Sequence, residues 1–243
     1  MLNGSEFLPA AQRRPAVRGC CALWIDGRDT VEPICYIVGA CHPGQLYLAP
    51  RREAFVIAAD QGLRYLEAAG ITPDLIVGDF DSLGTVPQGT NVIRHPVEKD
   101  DTDMMLAVKT GLARGYRTFV LYGGIGGRLD HTYANFQALT YLARHGAVGY
   151  LVGEDSVAAA VAEGELRFSA ELRGWIGVFC PDGEARGVDI DGLYYSLRDG
   201  TLTSGFPLGA SNHFTGREAS VSVKEGTLLV MWQERADSLV RRL

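Results

Sequence analysis

"TFVLYGGIGGRLDHTYAN", residues 118–135, begins as an unbroken apolar run, turns through four glycines and resumes at helical spacing. A continuous apolar run of this length fits a strand buried on both faces, as in a parallel sheet. Gly123, Gly124, Gly126 and Gly127 permit a tight turn with exposed amides, and the helix N-terminus that follows favours anions. The segment is therefore a strand–turn–helix unit whose turn suits phosphate. It is not a Walker A loop, because no Lys-Ser/Thr pair follows, and Leu129 stands where the third glycine of G-x-G-x-x-G belongs. Arg128 adds a planar fork matched to phosphate oxygens.

The same texture extends outward. Between about residues 20 and 152, short apolar runs ("ICYIVGA", "AFVIAA", "LIVGD", "NVIRH", "VGYLVG") alternate with helix-period segments at 61–69, 103–114 and 130–145. This alternation predicts a mostly parallel sheet covered on both faces. Beyond about residue 155 helical periodicity vanishes, and short strands alternate with "PDG", "IDG", "RDG" and "KEG" turns. That pattern predicts an antiparallel sandwich or barrel. The expected fold is α/β: an N-terminal, mostly parallel-sheet nucleotide-binding domain over 20–153 and a C-terminal all-β, sandwich-like domain over 154–243.

Bulk properties narrow the function. The chain has 243 residues, 47% apolar and 21% charged, with a net charge of -6. An acidic balance argues against a nucleic-acid footprint but not against anionic ligands, since Mg²⁺ bridges carboxylates to phosphates. Cys20, Cys21, Cys35, Cys41 and Cys180 form no C-x-x-C pair, which fits reduced thiols in the cytoplasm. No run of about 18 apolar residues suggests a membrane helix. Residues 1–18, with "GSEF" at 4–7, are set aside as a leader or cloning remnant.

Ligands of open α/β sheets bind beyond the carboxyl ends of the strands, where three further stretches fall. In "AADQG" (58–62), Asp60 directly follows a strand; alone it reads as a helix cap. In "DLIVGDFDSL" (74–83), Asp79 and Asp81 end a buried strand two positions apart. If extended, their carboxylates lie about 6 Å apart and repel by about 3 kcal/mol at an effective dielectric near 20, so a cation between them is expected. In "VEKDDTDMMLAV" (97–108), Asp100, Asp101 and Asp103 exceed the single acid a helix start needs. Asp103 is read as sharing the cation and Lys99 as reaching a phosphate. His131 and His213 read as structural rather than as bases.

As a set, "AADQG", "PDLIVGDFDS", "KDDTD", "GGIGGRLDH..AN" and "GASN" (209–212) resemble bacterial thiamine pyrophosphokinases, in the family's order, from about residue 34 to 232. The resemblance implies an ATP-binding catalytic domain joined to a thiamine-binding domain. It implies transfer of the diphosphate of ATP to the thiamine hydroxyl, releasing AMP. It implies Asp79, Asp81 and Asp103 as Mg²⁺ ligands with Asp60 beside them. Lys99, Thr102, Gly124, Gly126, Gly127, Arg128 and Asp130 are implied as nucleotide and phosphate contacts. Ser211 and Asn212 are implied as contacts to the thiamine aminopyrimidine or to the nucleotide. A homodimer with thiamine where the subunits meet is implied as well.

Asp60, Asp81 and Asp103 each remain open as the acceptor of the hydroxyl proton, with Arg128 as the charge stabiliser. Trp232, Phe206, Phe214 and Tyr194 are stacking candidates for the thiamine cation or else core. Gln61 departs from the glycine that many relatives carry in "ADGG". Two alternatives stay in view: a diphosphokinase acting on a hydroxymethyl-pterin, and a non-catalytic nucleotide- or thiamine-sensing module.

Overall fold

In Ile34–Val38, the residues Ile34, Tyr36 and Val38 pack on one side and Cys35 and Ile37 on the other, and all five are buried. Only a strand with both faces covered buries every residue, so the sheet is a middle layer. Burial also pushes the Cys35 thiol well above its ordinary pKa, which makes it an inert packing group.

The computed structural model describes residues 22–24, 33–48, 54–78, 91–94 and 101–243. In chain order the elements are β1 (Ala22–Trp24), β2 (Ile34–Val38), β3 (Phe55–Ala59), α1 (Gly62–Ala68), β4 (Leu75–Gly78), β5 (Val92–Arg94), α2 (Asp103–Ala113), β6 (Thr118–Tyr122), α3 (Leu129–Arg144) and β7 (Val148–Val152). There follow β8 (Ser156–Ala162), β9 (Glu165–Phe168), β10 (Trp175–Phe179), β11 (Glu184–Asp191), β12 (Leu197–Thr203), β13 (Gly209–His213), β14 (Ala219–Ser222), β15 (Thr227–Gln233) and α4 (Ala236–Arg242).

Among the described residues, ten strands form one sheet in the order β13-β10-β15-β8-β7-β6-β2-β3-β4-β5. From β7 to β5 the pairing is parallel; from β7 outward to β13 it is antiparallel. A second, five-stranded sheet has the order β1-β9-β14-β11-β12. The two sheets share a core in which Phe168 of β9 meets Trp232 of β15 edge-on at 5.3 Å and Phe214 at 5.6 Å. The architecture is thus mixed α/β, with a large sheet and a separate, mainly antiparallel one. The large sheet runs unbroken past residue 153, because β8 pairs β7 through Tyr150↔Ala159 and β15 along its whole length.

Two features depart from the sequence expectation. Helical structure does not end at residue 155: α4 packs Ala236, Leu239 and Val240 into the core. Trp232 and Phe214 are core residues, fully buried and 8% exposed, so neither offers a ring face to a ligand. The indole N–H of Trp232 donates to Glu234 at 2.7 Å, and the same carboxylate pairs with Arg242 of α4. With side-chain exposures of 1% and 13% the ion pair is desolvated. Glu234→Ala strands a buried guanidinium and an indole donor, so urea unfolding should show a loss of about 3–5 kcal/mol.

Candidate active site

The chain leaves β2 toward β3, β4 and β5 on one side, then returns to β6 on the other. Between β2 and β6 lies the switch point at which such sheets bind ligands. Two backbone bonds prolong the pairing beyond the strands. Gly39 N donates to Tyr122 O at 2.8 Å, and Cys41 N donates to Gly123 O at 3.0 Å. The approach is so close that a Cβ on Gly39 would sit 2.9 Å from Gly123 O. On Gly123, whose φ is +64°, a Cβ would sit 2.6 Å from Cys41 O. These glycines are required by packing, not only by flexibility.

A cavity of about 270 Å³ opens at this point, lined by the backbone of 39–41, by Gly123, and by Asp60, Asp101, Thr102 and Asp103. His131 and Asn135 of α3 close its other side. Asp60 has φ +50°, and its N–H donates to Val77 O at 2.9 Å, which anchors it between β3 and β4. The cap position of α1 is Gln61, not Asp60. At α2 the cap is Thr102, whose Oγ1 accepts from Met105 N at 3.2 Å. Its hydroxyl can still donate to a ligand. Capping therefore uses none of the acids at this helix start. Asp101 instead accepts two bonds from Lys109 Nζ, at 2.8 and 2.6 Å.

The glycine turn is held from below. Asn135, 7% exposed, donates from Nδ2 to Gly124 O at 2.8 Å. Thr132 Oγ1 accepts from Gly126 N at 3.2 Å, and the Cys41 thiol donates to Gly126 O at 3.1 Å. Removing the buried amide takes this partner from the carbonyl, so Asn135→Ala should cost about 1–3 kcal/mol, read by urea unfolding.

Arg128 occupies the cap position of α3, exposed, with Nε and an Nη donating to Asp130 at 3.1 and 2.6 Å. This bond to Arg128 is the main reason the Asp130 carboxyl drops from 3.8 to about 2. The pair is therefore complete above the ordinary carboxylate range and is lost only as pH falls through about 2. Three guanidinium N–H groups remain for a phosphate.

On the far side of Gly123 lies a larger cavity of about 690 Å³, between the 42–47 loop, Ile125, Val152–Asp155 and the start of α4. Tyr122 fixes the loop by donating its hydroxyl to Tyr47 O at 2.7 Å. Nothing in the motifs pointed to this cavity. Its walls come from segments more than a hundred residues apart, and α4 was not expected at all.

The structure thus brings Asp60, Thr102 and Asp103 to one cavity, which Gly123 and His131 also line; Gly124, Gly126, Gly127, Arg128 and Asp130 lie between those two in the chain and do not line it. It does not bring Ser211 and Asn212 there. They lie on β13, five strand steps from β6, or roughly 24 Å at the usual strand spacing. Asn212 is 4% exposed; its Oδ1 accepts from Tyr195 N at 2.9 Å and its Nδ2 donates to Tyr195 O at 2.7 Å. Ser211, at φ +61°, is exposed on the same edge strand. Asp79, Asp81 and Lys99 lie outside the described residues.

Among the described residues no group of three or more His, Cys, Asp or Glu side chains stands ready to hold a metal. Asp60 and Asp103 supply hard oxygens to one cavity, which fits Mg²⁺, an ion that takes one or two carboxylates and completes its shell with water and phosphate. No helix among the described residues is long and apolar enough to cross a membrane.

Residues 49–150 match the model of the thiamin pyrophosphokinase catalytic domain, and residues 165–228 match that of the thiamin pyrophosphokinase vitamin B1 binding domain. The thiamine pyrophosphokinase of Bacillus subtilis is 26% identical over 183 residues, covering 72% of this chain and 85% of the relative. Among solved structures, that of the Bacillus subtilis protein superposes with a TM-score of 0.71 at 23% identity, covering 83% of this chain and 99% of the other. Yeast thiamin pyrophosphokinase superposes at 0.66 and 14% identity, over 90% and 92%. Both family models match in order and together cover more than half of the residues: the chain belongs to the thiamine pyrophosphokinase family.

Proposed function

We propose that the diphosphate transfer of this family, from ATP to the hydroxyl of thiamine with release of AMP, takes place at the mouth between β2 and β6. The observation that carries this reading is Gly123, which lines both cavities. The smaller cavity, with its carboxylates, glycine turn and nearby Arg128, takes the polyphosphate; the larger, with Ile125, Val152 and Tyr47, takes the adenosine. The ATP-binding catalytic part is assigned to residues 20–153 and the thiamine-binding part to 154–243, a division supported by the two matched models, although both sheets cross it: β1 pairs with β9, and β7 with β8. Reduced Cys35, Cys41 and Cys180 fit a cytoplasmic enzyme.

Asp79, Asp81 and Asp103, with Asp60 beside them, would hold Mg²⁺, which supplies neutralisation of phosphate charge when bound. The chain's own groups do the rest. The thiamine hydroxyl oxygen attacks the β-phosphorus, and the bond from that phosphorus to the bridging oxygen of AMP breaks. The hydroxyl proton passes to a carboxylate, Asp60, Asp81 or Asp103. Lys99, Arg128, the Thr102 hydroxyl and the amides of Gly124, Gly126 and Gly127 meet the charge that builds on the phosphate oxygens. Catalysis of this kind is chiefly positioning and electrostatics.

Thiamine is placed between two subunits. Ser211 and Asn212 are too far from the glycine turn of their own chain, and apolar side chains stand exposed at both places. Tyr194, Tyr195, Phe206 and Leu208 are 56–69% exposed around β13, and Leu129 and Tyr133 are 85% and 60% exposed beside the glycine turn. A two-fold axis joining one patch to the other would bury both and bring Ser211 of the partner subunit to the phosphates. Tyr194 and Phe206 remain stacking candidates for the thiamine cation.

Incubation with ATP, Mg²⁺ and thiamine should give AMP and thiamine diphosphate in equal amounts. The hydroxymethyl-pterin alcohol should give no AMP, and the match to a vitamin B1 binding domain already disfavours it. Formation of ADP, or AMP release independent of thiamine, would refute the reading.

A further inference from the structure

The two cavities meet at Gly123, and the chain bonded to it changes cavity within one peptide bond. Cys41, whose N–H donates to Gly123 O at 3.0 Å, lines the smaller cavity, and His42 lines the larger. With the polyphosphate in one and the adenosine in the other, the α-phosphate lies at this step. The His42 ring has a fixed direction there. Its Nδ1 accepts from Gly44 N at 3.2 Å, which leaves the ring proton on Nε2. Tyr65 of α1 packs against the ring edge-on, with centroids 5.5 Å apart, and its hydroxyl donates to Ala40 O at 3.5 Å. Arg235, which also lines the larger cavity, stands at the start of α4 and donates to Asp237 at 3.2 Å.

We propose that His42 is a catalytic residue of the diphosphate transfer: its Nε2–H donates to the α-phosphate and stabilises the charge of the departing AMP. The inference rests on the two-cavity placement of ATP. When the bond from the β-phosphorus to the bridging oxygen breaks, its electron pair stays on that oxygen and the charge spreads over the α-phosphate. A donor aimed there acts more strongly in the transition state than before it, so it raises kcat rather than affinity. His42 keeps its proton throughout, because AMP departs as a phosphate anion and needs no acid.

The test compares the two α-thio diastereomers of ATP as substrates. Sulfur accepts a hydrogen bond poorly, so the diastereomer that turns sulfur toward Nε2 should react about tenfold more slowly through this contact. His42→Phe keeps a ring against Tyr65 and removes the donor. Its kcat with ATP should fall about 10²-fold at nearly unchanged KM, and the ratio between the diastereomers should shrink about tenfold from the parent's. His42→Gln, whose amide reaches about as far as Nε2, should regain part of both. A residue that only props the loop would slow both diastereomers alike, so an unchanged ratio, or a parent-like kcat, overturns the proposal. Photolabelling of the parent with 8-azido-ATP tests the placement separately, and the label should fall on residues 42–47, 152–155 or 235–237. Label there with an unchanged ratio removes His42 alone; label elsewhere means that the two-cavity placement is wrong and takes the inference with it.

Discussion

Asp103→Asn should lower kcat for thiamine diphosphate formation by about 10²–10³-fold, the usual cost of removing one group that stabilises transition-state charge. The fold should survive. The acid sits in the first turn of α2, where its charge is worth only about 0.3–1 kcal/mol against the helix dipole, and capping belongs to Thr102. Relief of repulsion from the carboxylates that share the cavity offsets part of that. In a chain of this size each kcal/mol moves Tm by about 2–4 °C, so the variant should melt within a few degrees of the parent. A calorimetric scan beside an AMP-release assay separates the effects. Parent-like turnover at saturating Mg²⁺ would remove Asp103 from the site.

Gly62→Ala should act the other way, through the fold first. A Cβ there would lie 1.8 Å from Val38 O and 2.5 Å from its carbon, both backbone atoms that cannot turn aside. Helix α1 would have to lift from β2, exposing Leu63 and Leu66, which are buried. A loss above about 4 kcal/mol is expected, in the range reserved for severe overpacking. Gln61→Gly, one residue earlier, should cost no more than about 1 kcal/mol. Gln61 has φ -63°, so its side chain meets no backbone restriction. The fold itself accepts Gln61 in "ADQG" for this reason, since Gly62 is the glycine the packing demands. Denaturant titration of the two variants would show the contrast, and comparable losses would contradict it.

These residues also show what was legible before the structure. The parallel half was read nearly to the residue because its signals are local: both-face burial makes apolar runs, and helices α1, α2 and α3 each follow a strand with their own period. In β8, "SVAAAVA" was missed because alanine carries little strand preference. Its strand identity comes from pairing with β7 over Val157–Ala159 and with the distant β15 along its whole length. Helix α4 was missed because seven residues give barely two turns of period, and Leu239 is buried only where Glu234 and Arg242 hold the helix down.

At the site, residue types were legible and their division of labour was not. The acids of "KDDTD" looked alike in the sequence. Only three-dimensional placement separates Asp101, bonded to Lys109 eight positions on, from Asp103. Asn135 stood within a recognisable motif, but its task, holding Gly124 from inside the core, depends on α3 folding back beneath the turn. The distance between Ser211 and the glycine turn follows from strand order, which no local pattern encodes.

The most direct test is a crystal of the enzyme with Mn²⁺ and a non-hydrolysable ATP analogue, with the metal located by anomalous scattering. The account predicts an anomalous peak in the cavity between Asp60 and Asp103, with the β- and γ-phosphates against the Gly123–Gly127 turn and the adenosine beyond Gly123. A metal peak and polyphosphate found elsewhere, with those carboxylates facing solvent alone, would contradict it.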